Sequence, residues 1–281
     1  MHCFRIIGKI DIKEKNLVKG VSLEGLRVLG KSYEFSKFYY ENGADELIYQ
    51  DVVASLYGKN TLLDEISKTA ENIFIPLTVG GGIRTLSDIE KILRSGADKV
   101  SINSAALKNP NFIAEAARKF GSSTVAISIE AVKQSDGQYL AYMENGRTKT
   151  NKEIINWLNI VQEKGAGEAI ITFVDNEGRG LGYDLNFIKK LCKVSKIPII
   201  IHGGTGYARQ VVDLVKKTSV SGVAVASMFH YDYIKNKKVQ NDFSEGNLDF
   251  LLSNKFFNKF QTLNPISLKR KLKMQKILCN I

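Results

Sequence analysis

Two carboxylates, Asp11 and Glu130, each end a predicted β-strand, and each lies in a chain segment that repeats in the other half of the sequence. Carboxylates facing each other across one mouth can act as general acid and base on a molecule held between them. Their plainer role is to cap nearby backbone N–H groups. Asp51 and Asp175 end two further strands, where they either support that chemistry or simply hold loop backbone.

Glycine clusters flank these carboxylates. In LTVGGGIRT (77–85), Gly81 and Gly82 fall where a strand ends and a helix opens, so that bare backbone N–H groups can approach an anion. Ser101, Asn103 and Ser104 supply the hydroxyl and amide groups that complete a phosphate cup. Gly178, Gly203, Gly204, Ala226 and Ser227 repeat the arrangement in the second half, at the phosphate position usual after strands seven and eight of a barrel. Glycine in such turns also serves tight geometry alone. Two cups related by a repeat, with the carboxylate pair between them, point to a substrate carrying phosphate at both ends.

At the opposite strand ends stand Arg5, Glu46, Lys99 and Glu168. Alternation along Arg5-Ile7-Lys9-Asp11 turns Arg5 to the same inward side as Asp11, so two cations and two anions can close a ring at a barrel floor. Such a ring reads first as a stabilising device. His2, His202 and His230 have no metal-ligand spacing, and Cys3, Cys192 and Cys279 form neither a C-x-x-C pair nor a nucleophile elbow. The residues therefore suggest no metal site and no glutaminase activity within this chain.

The elements that must position these groups are eight short apolar runs alternating with amphipathic helices. Strands are predicted at 4–10, 46–51, 73–79, 99–103, 124–130, 168–174, 197–201 and 222–226, and continuous runs such as IPIII suit strands buried on both faces. Helices are predicted at 32–42, 61–71, 85–95, 111–119, 151–164, 184–194 and 207–217, with Thr85 and Asp88 as a capping pair and Ile89, Ile92 and Leu93 as a buried stripe. Eight β/α units predict an α/β fold, a (β/α)8 TIM barrel formed by residues 1–281, with a doubly wound sheet as the alternative.

The sequence repeats itself, GADE at 43–46 against GAGE at 165–168, so half-barrels are expected at about 1–120 and 121–281. A long fifth loop at 131–150 carries an Asp136-Gly137 hairpin signal. Residues 231–265 read as an insertion in loop eight. A last helix follows Pro265, capped by Ser267, with Leu268, Leu272, Ile277 and Leu278 on one side.

Composition supports an ordinary globular protein: 281 residues, 44% hydrophobic and 25% charged. The net charge of +11 invites a nucleic-acid partner, yet seven Lys/Arg and no acid fall in residues 254–281, leaving only +4 for the rest. Those lysines fit the outer face of an amphipathic helix, so no nucleic acid is expected. No apolar run is long enough to span a membrane, and the N-terminus turns charged too early for a signal peptide, so a cytoplasmic setting is expected.

The combination IDIKEKNLVKGV, GADELIYQDVVAS, VGGGIRTLSDIEKILRSGADKVSINSAAL, GAGEAIITFVDNEG, HGGTG and AVASMFH resembles the HisF family, the cyclase subunit of imidazole glycerol phosphate synthase. The resemblance covers roughly residues 4–230 and resumes in the last helix. It implies an acid/base pair at Asp11 and Glu130, the two phosphate cups named above, and supporting roles for Lys19 and Glu177. It also implies an ammonia entrance at Arg5, Glu46, Lys99 and Glu168, fed by a HisH-like glutaminase docked beneath the barrel, with no metal or organic cofactor.

Four departures fall on the mouth. The family has aspartate at the positions of Glu130 and Glu177, S-G-G-A-G where this chain reads His202-Gly203-Gly204-Thr205-Gly206, and a small residue in place of Lys9. One added methylene moves a carboxylate by roughly 1.5 Å, and a misplacement of about 1 Å can cost ~100-fold in rate. With the floor intact and the mouth altered, the expected function is that of a paralogue supplying ammonia chemistry for an acetamidino group on a surface-polysaccharide sugar, alongside a sugar amidotransferase. The alternatives are an authentic cyclase of histidine biosynthesis and a non-catalytic scaffold that activates the glutaminase.

Overall fold

The computed structural model describes residues 3–54, 62–236 and 260–280. Eight parallel strands close a barrel in sequence order: β1 (Arg5–Lys13), β4 (Glu46–Asp51), β5 (Leu77–Gly80), β6 (Lys99–Ile102), β7 (Val125–Lys133), β10 (Glu168–Phe173), β11 (Ile199–His202) and β12 (Gly222–Val225). The ring shuts through pairing of β12 with β1, and β6 with β7 pairs the two halves across their other seam. Ten α-helices occur among the described residues: α1 (Ser32–Glu41), α2 (Leu63–Ala70), α3 (Leu86–Arg94), α4 (Ser104–Lys108), α5 (Asn111–Phe120), α6 (Ile154–Glu163), α7 (Leu185–Val194), α8 (Ala208–Lys217), α9 (Ser227–Asn236) and α10 (Pro265–Met274). This is the TIM-barrel α/β fold the alternation predicts.

Outward-facing strand residues and the apolar helix stripes form one large core. The Thr85/Asp88 capping box forms, and Ile89 and Ile92 are buried beneath it. Inside the barrel, Ile7, Ile48, Ala126, Ile170, Ile200 and Ala224 make a separate apolar layer. It divides the floor ring from the mouth. Alternation along each strand turns Thr78 and Ser101 inward as well, in register with Ile48 and Ala126, so two hydroxyls interrupt this layer.

Each half carries an antiparallel hairpin after its first strand. β2 (Asn16–Val21) and β3 (Glu24–Lys31) follow β1, while β8 (Tyr139–Met143) and β9 (Thr148–Glu153) follow β7. The Asp136-Gly137 signal forms the turn that joins β7 to β8, whereas β8 and β9 are joined by a separate turn at 144–147. The first hairpin has no Asn-Gly or Asp-Gly turn: Ser22 and Leu23 take the left-handed conformation instead, with φ of 52° and 64°.

The C-terminal region differs from expectation in detail. Residues 231–236 of the expected insertion belong to α9, and residues 237–259 lie outside the described residues. The last helix is capped by Asn264, whose side chain accepts from the Ser267 N–H, with Pro265 as its first residue. Ser267 is therefore inside the helix rather than its cap. The helix ends at Met274, so Leu278 lies beyond it and is exposed, whereas Leu268 and Leu272 are fully buried. Lys269 is not on the outer face. It is buried, and its Nζ lies 2.6 Å from Asp45 Oδ1, while Asp45 Oδ2 accepts from the Ile6 N–H at 2.7 Å. Among the described residues no helix is long and apolar enough to cross a membrane.

Candidate active site

The C-terminal mouth holds a cavity of about 310 Å³ whose wall includes Gly81, Gly82, Ser101, Asn103, Ser104 and Glu130. These come from the ends of three consecutive strands, β5, β6 and β7. Gly81 has φ of 105°, and a Cβ there would stand 2.3 Å from the Asp51 carbonyl oxygen, so only glycine permits this turn. Sequence reasoning left out Gln50, Arg84, Lys108 and Ser128, which also line the cavity. Ser128 was accessible to it, because it lies two residues before Glu130 and so shares its inward face. Arg84 and Lys108 add cationic character to the cup.

Glu130 is buried, and its Oε2 accepts from the Gly146 N–H at 2.7 Å. Burial pushes its carboxyl up to about 7, against the opposing pull of the Gly146 and Asn103 hydrogen bonds and the Lys9 ammonium. A carboxyl group poised there can both give and take a proton near neutrality. Asn103 also donates its side-chain amide to the Tyr142 carbonyl at 3.1 Å, which fixes it to β8.

Asp11 stands apart from this cavity wall. It is buried and hydrogen-bonded by the Lys9 ammonium from two residues earlier on the same inward face of β1. His202 lies close by, 3.2 Å from Thr172 Oγ1 through Nδ1. Burial, with the Lys9 and Lys19 cations, holds its imidazole well below its usual range. His202 is therefore a neutral imidazole at physiological pH.

The second cup is covered. Glu177 is buried and receives the Lys19 ammonium, and its Oε2 accepts from the Leu23 N–H at 3.3 Å. This seats the first hairpin across the sixth loop, so that a Cβ on Gly178 would fall 2.6 Å from the Gly20 carbonyl oxygen. Gly204 has φ of 119°, and a Cβ there would fall 2.1 Å from the Gly182 carbonyl oxygen. Gly203, Ala226 and the buried Ser227 complete this region, which lies outside the wall of the cavity described above.

The two remaining aspartates hold backbone. Asp51 Oδ1 accepts from the Val53 and Ala54 N–H groups at 2.9 and 2.8 Å, and burial raises its carboxyl. Asp175 accepts from the Lys133 N–H at 2.8 Å and faces an outer cleft with Tyr139 and Asp184. His230 is fully buried between α1 and α9, hydrogen-bonded through Nδ1 to the Tyr39 hydroxyl. Among the described residues, no three His, Cys, Asp or Glu side chains are grouped as a metal site.

At the floor, Arg5 reaches Glu46 at 2.7 Å and Glu168 at 2.5 Å, and Lys99 reaches the same two carboxylates at 3.2 and 3.5 Å. Four strands thus contribute one closed ring of alternating charge. The apolar layer of the barrel interior begins immediately above it.

A closed β/α barrel with a buried carboxyl beside a glycine-walled cavity at its C-terminal mouth places the chain in the TIM-barrel class. The model of the histidine biosynthesis protein family matches residues 5–235. Imidazole glycerol phosphate synthase subunit HisF of Legionella pneumophila is 50% identical over 202 residues, which is 72% of this chain and 95% of that relative. The protein of the same name from Bacillus cereus strain G9842 is 40% identical over 248 residues, 88% of this chain and 98% of the relative. The chain belongs to the HisF family. These relatives carry the name of the biosynthetic subunit, and nothing in them specifically supports the polysaccharide paralogue that the altered mouth led us to expect.

Proposed function

We propose that this chain is the cyclase subunit of an imidazole glycerol phosphate synthase, using ammonia from a separate HisH-type glutaminase to close an imidazole ring on a bis-phosphorylated ribonucleotide intermediate. The observation that carries this reading is 40–50% identity to HisF proteins across nearly their whole length. In it, the cavity wall at Gly81, Gly82, Ser101, Asn103 and Ser104 holds one phosphate. Gly178, Gly203, Gly204, Ala226 and Ser227 hold the other once the first hairpin lifts.

Between the cups, Asp11 and Glu130 move protons as ammonia adds and water leaves. Glu130, with its carboxyl near 7, has the proton affinity for that exchange at neutral pH. The partner docks on the N-terminal face, and the ring of Arg5, Glu46, Lys99 and Glu168 is the entrance through which neutral ammonia reaches the apolar interior.

The test is turnover of that intermediate by purified protein with ammonium salt at alkaline pH. A rate typical of biosynthetic enzymes, abolished by Asp11→Asn, is expected. One observation favours a second reading, the sugar-amidation paralogue: the Lys9 ammonium sits on the proposed Asp11 acid/base group. Very slow turnover of the histidine intermediate, with Asp11→Asn making no difference, would select it.

A further inference from the structure

Two buried glutamates, Glu130 and Glu177, are linked by one structural element that touches the surroundings of both. That element is the tip of the first hairpin, Ser22–Glu24. On one side Glu177 grips it: its carboxylate accepts from the Leu23 N–H at 3.3 Å, its carbonyl accepts from the Ser22 N–H at 2.9 Å, and Lys19 pairs with it from the adjoining strand. On the other side the β8–β9 turn grips it. Asn145 donates its side-chain amide to the Leu23 carbonyl at 3.3 Å, and Arg147 Nε lies 2.9 Å from Glu24 Oε1.

Gly146 lies between those two contacts and gives its N–H to Glu130. The turn reaches this geometry by placing Glu144, Asn145 and Gly146 in succession at φ of 57°, 61° and 79°. Left-handed backbone at a glutamate is uncommon and costs energy unless surrounding contacts enforce it. Here the Glu144 N–H is held by Ser104 Oγ at 3.2 Å, and a Cβ on Gly146 would lie 3.2 Å from Val174 and 3.6 Å from Leu23. The turn is therefore wedged between the hairpin tip and the sixth loop, with its central N–H aimed at the carboxylate.

We propose that Glu130 and Glu177 work as one unit coupled through this tip: Glu177 seats the hairpin, the seated hairpin holds the 144–147 turn, and Gly146 then positions the Glu130 carboxylate. Glu177, Asn145 and Arg147 are positioning residues in this scheme. The Glu130 carboxylate is kept in place by a contact that exists when the hairpin is down, so hairpin closure and carboxylate alignment become one event. The inference deepens the proposed function, because it assigns Glu130 its alignment. The charged groups around Glu130 are Lys9 and Asp11 from β1, Asp51 at the end of β4, Arg84 after β5, and Lys108 and Glu144 beside the cup.

The experiment follows the Gly146 amide of the full chain by NMR as pH is varied, with no substrate present, so that it stands independently of the cyclase assay. In the unaltered protein this amide reports the Glu130 titration, with a midpoint of about 7. With Glu177→Gln the amide loses its hydrogen-bonded shift, and the Glu130 midpoint rises by about half a unit or more, because a bond that favoured the carboxylate is gone. The Asn145→Ala/Arg147→Ala double variant, altered at the turn's outer contacts, gives the same effect even if Glu177→Gln does not fold. An unchanged Gly146 amide and midpoint in either folded variant overturns the coupling and leaves the cyclase reading untouched. Absent turnover with the amide responding as described overturns the cyclase reading alone.

Discussion

Lys9 and Asp11 face inward from the same strand two residues apart, and the Lys9 ammonium is bonded to the Asp11 carboxylate, with both side chains less than one-tenth exposed. A buried charge pair adds little net stability when intact, but removing one partner strands the other in a poorly solvating interior. We therefore expect Lys9→Met to lower the unfolding free energy by about 3–5 kcal/mol. Lys9→Met combined with Asp11→Asn should recover most of that loss. Urea denaturation of the three proteins measures it, and a double variant no better than Lys9→Met alone would contradict the pairing energetics.

Glu130 makes a second, pH-dependent prediction. Its carboxyl rises from an ordinary 4.5 to about 7 on folding, chiefly through burial, so the folded state binds the proton more tightly than the unfolded chain does. Its stabilising contribution is fully present below about 4.5 and is lost as pH climbs through 7. Glu130→Gln should be as stable as the unaltered protein near pH 4 and more stable by about 3 kcal/mol at pH 8. Thermal unfolding at the two pH values checks the sign.

The floor ring predicts a split between two assays. Lys99→Met leaves Arg5 to balance Glu46 and Glu168 alone, without touching the mouth. Under the proposed function, turnover on ammonium salt should stay within about twofold. Turnover on glutamine with the glutaminase partner should fall at least about tenfold, a barrier change of about 1.4 kcal/mol. Equal losses in both assays would remove the ring from the ammonia route.

Gly204→Ala should be among the more damaging single changes. Its φ of 119° and the 2.1 Å approach to the Gly182 carbonyl leave no room for a methyl group. We expect a loss of about 2 kcal/mol or more in stability and a raised KM for the phosphorylated substrate. A calorimetric scan alongside substrate titration separates the two effects.

The barrel and the floor ring were legible in the sequence for different reasons. Strand alternation alone places Arg5, Ile7, Lys9 and Asp11 on one side, and equivalent strand starts bring Glu46, Lys99 and Glu168 to the same level. The cup at Gly82 and Ser104 followed from glycines at strand ends. Less visible was the pairing of Lys9 with Asp11 inside the mouth, which depends on a side-chain rotamer rather than on spacing. The first hairpin was hidden because its turn uses Ser22 and Leu23, residues that seldom take left-handed backbone. Asp175 is open in sequence between supporting the chemistry and holding loop backbone, and the hydrogen bond it accepts from the Lys133 N–H assigns it the second role.

Asp45 satisfies the Ile6 N–H with one carboxylate oxygen and the Lys269 ammonium with the other, across 224 positions of chain. During synthesis at roughly 5–20 residues per second, the aspartate leaves the ribosome about 10–45 s before its lysine does. Through that interval the seam between the first and last β/α units has an anion without its counter-ion. Pairing of β12 with β1 closes the ring of strands, and a chain stalled before residue 269 leaves the Asp45 carboxylate uncompensated beside that closure.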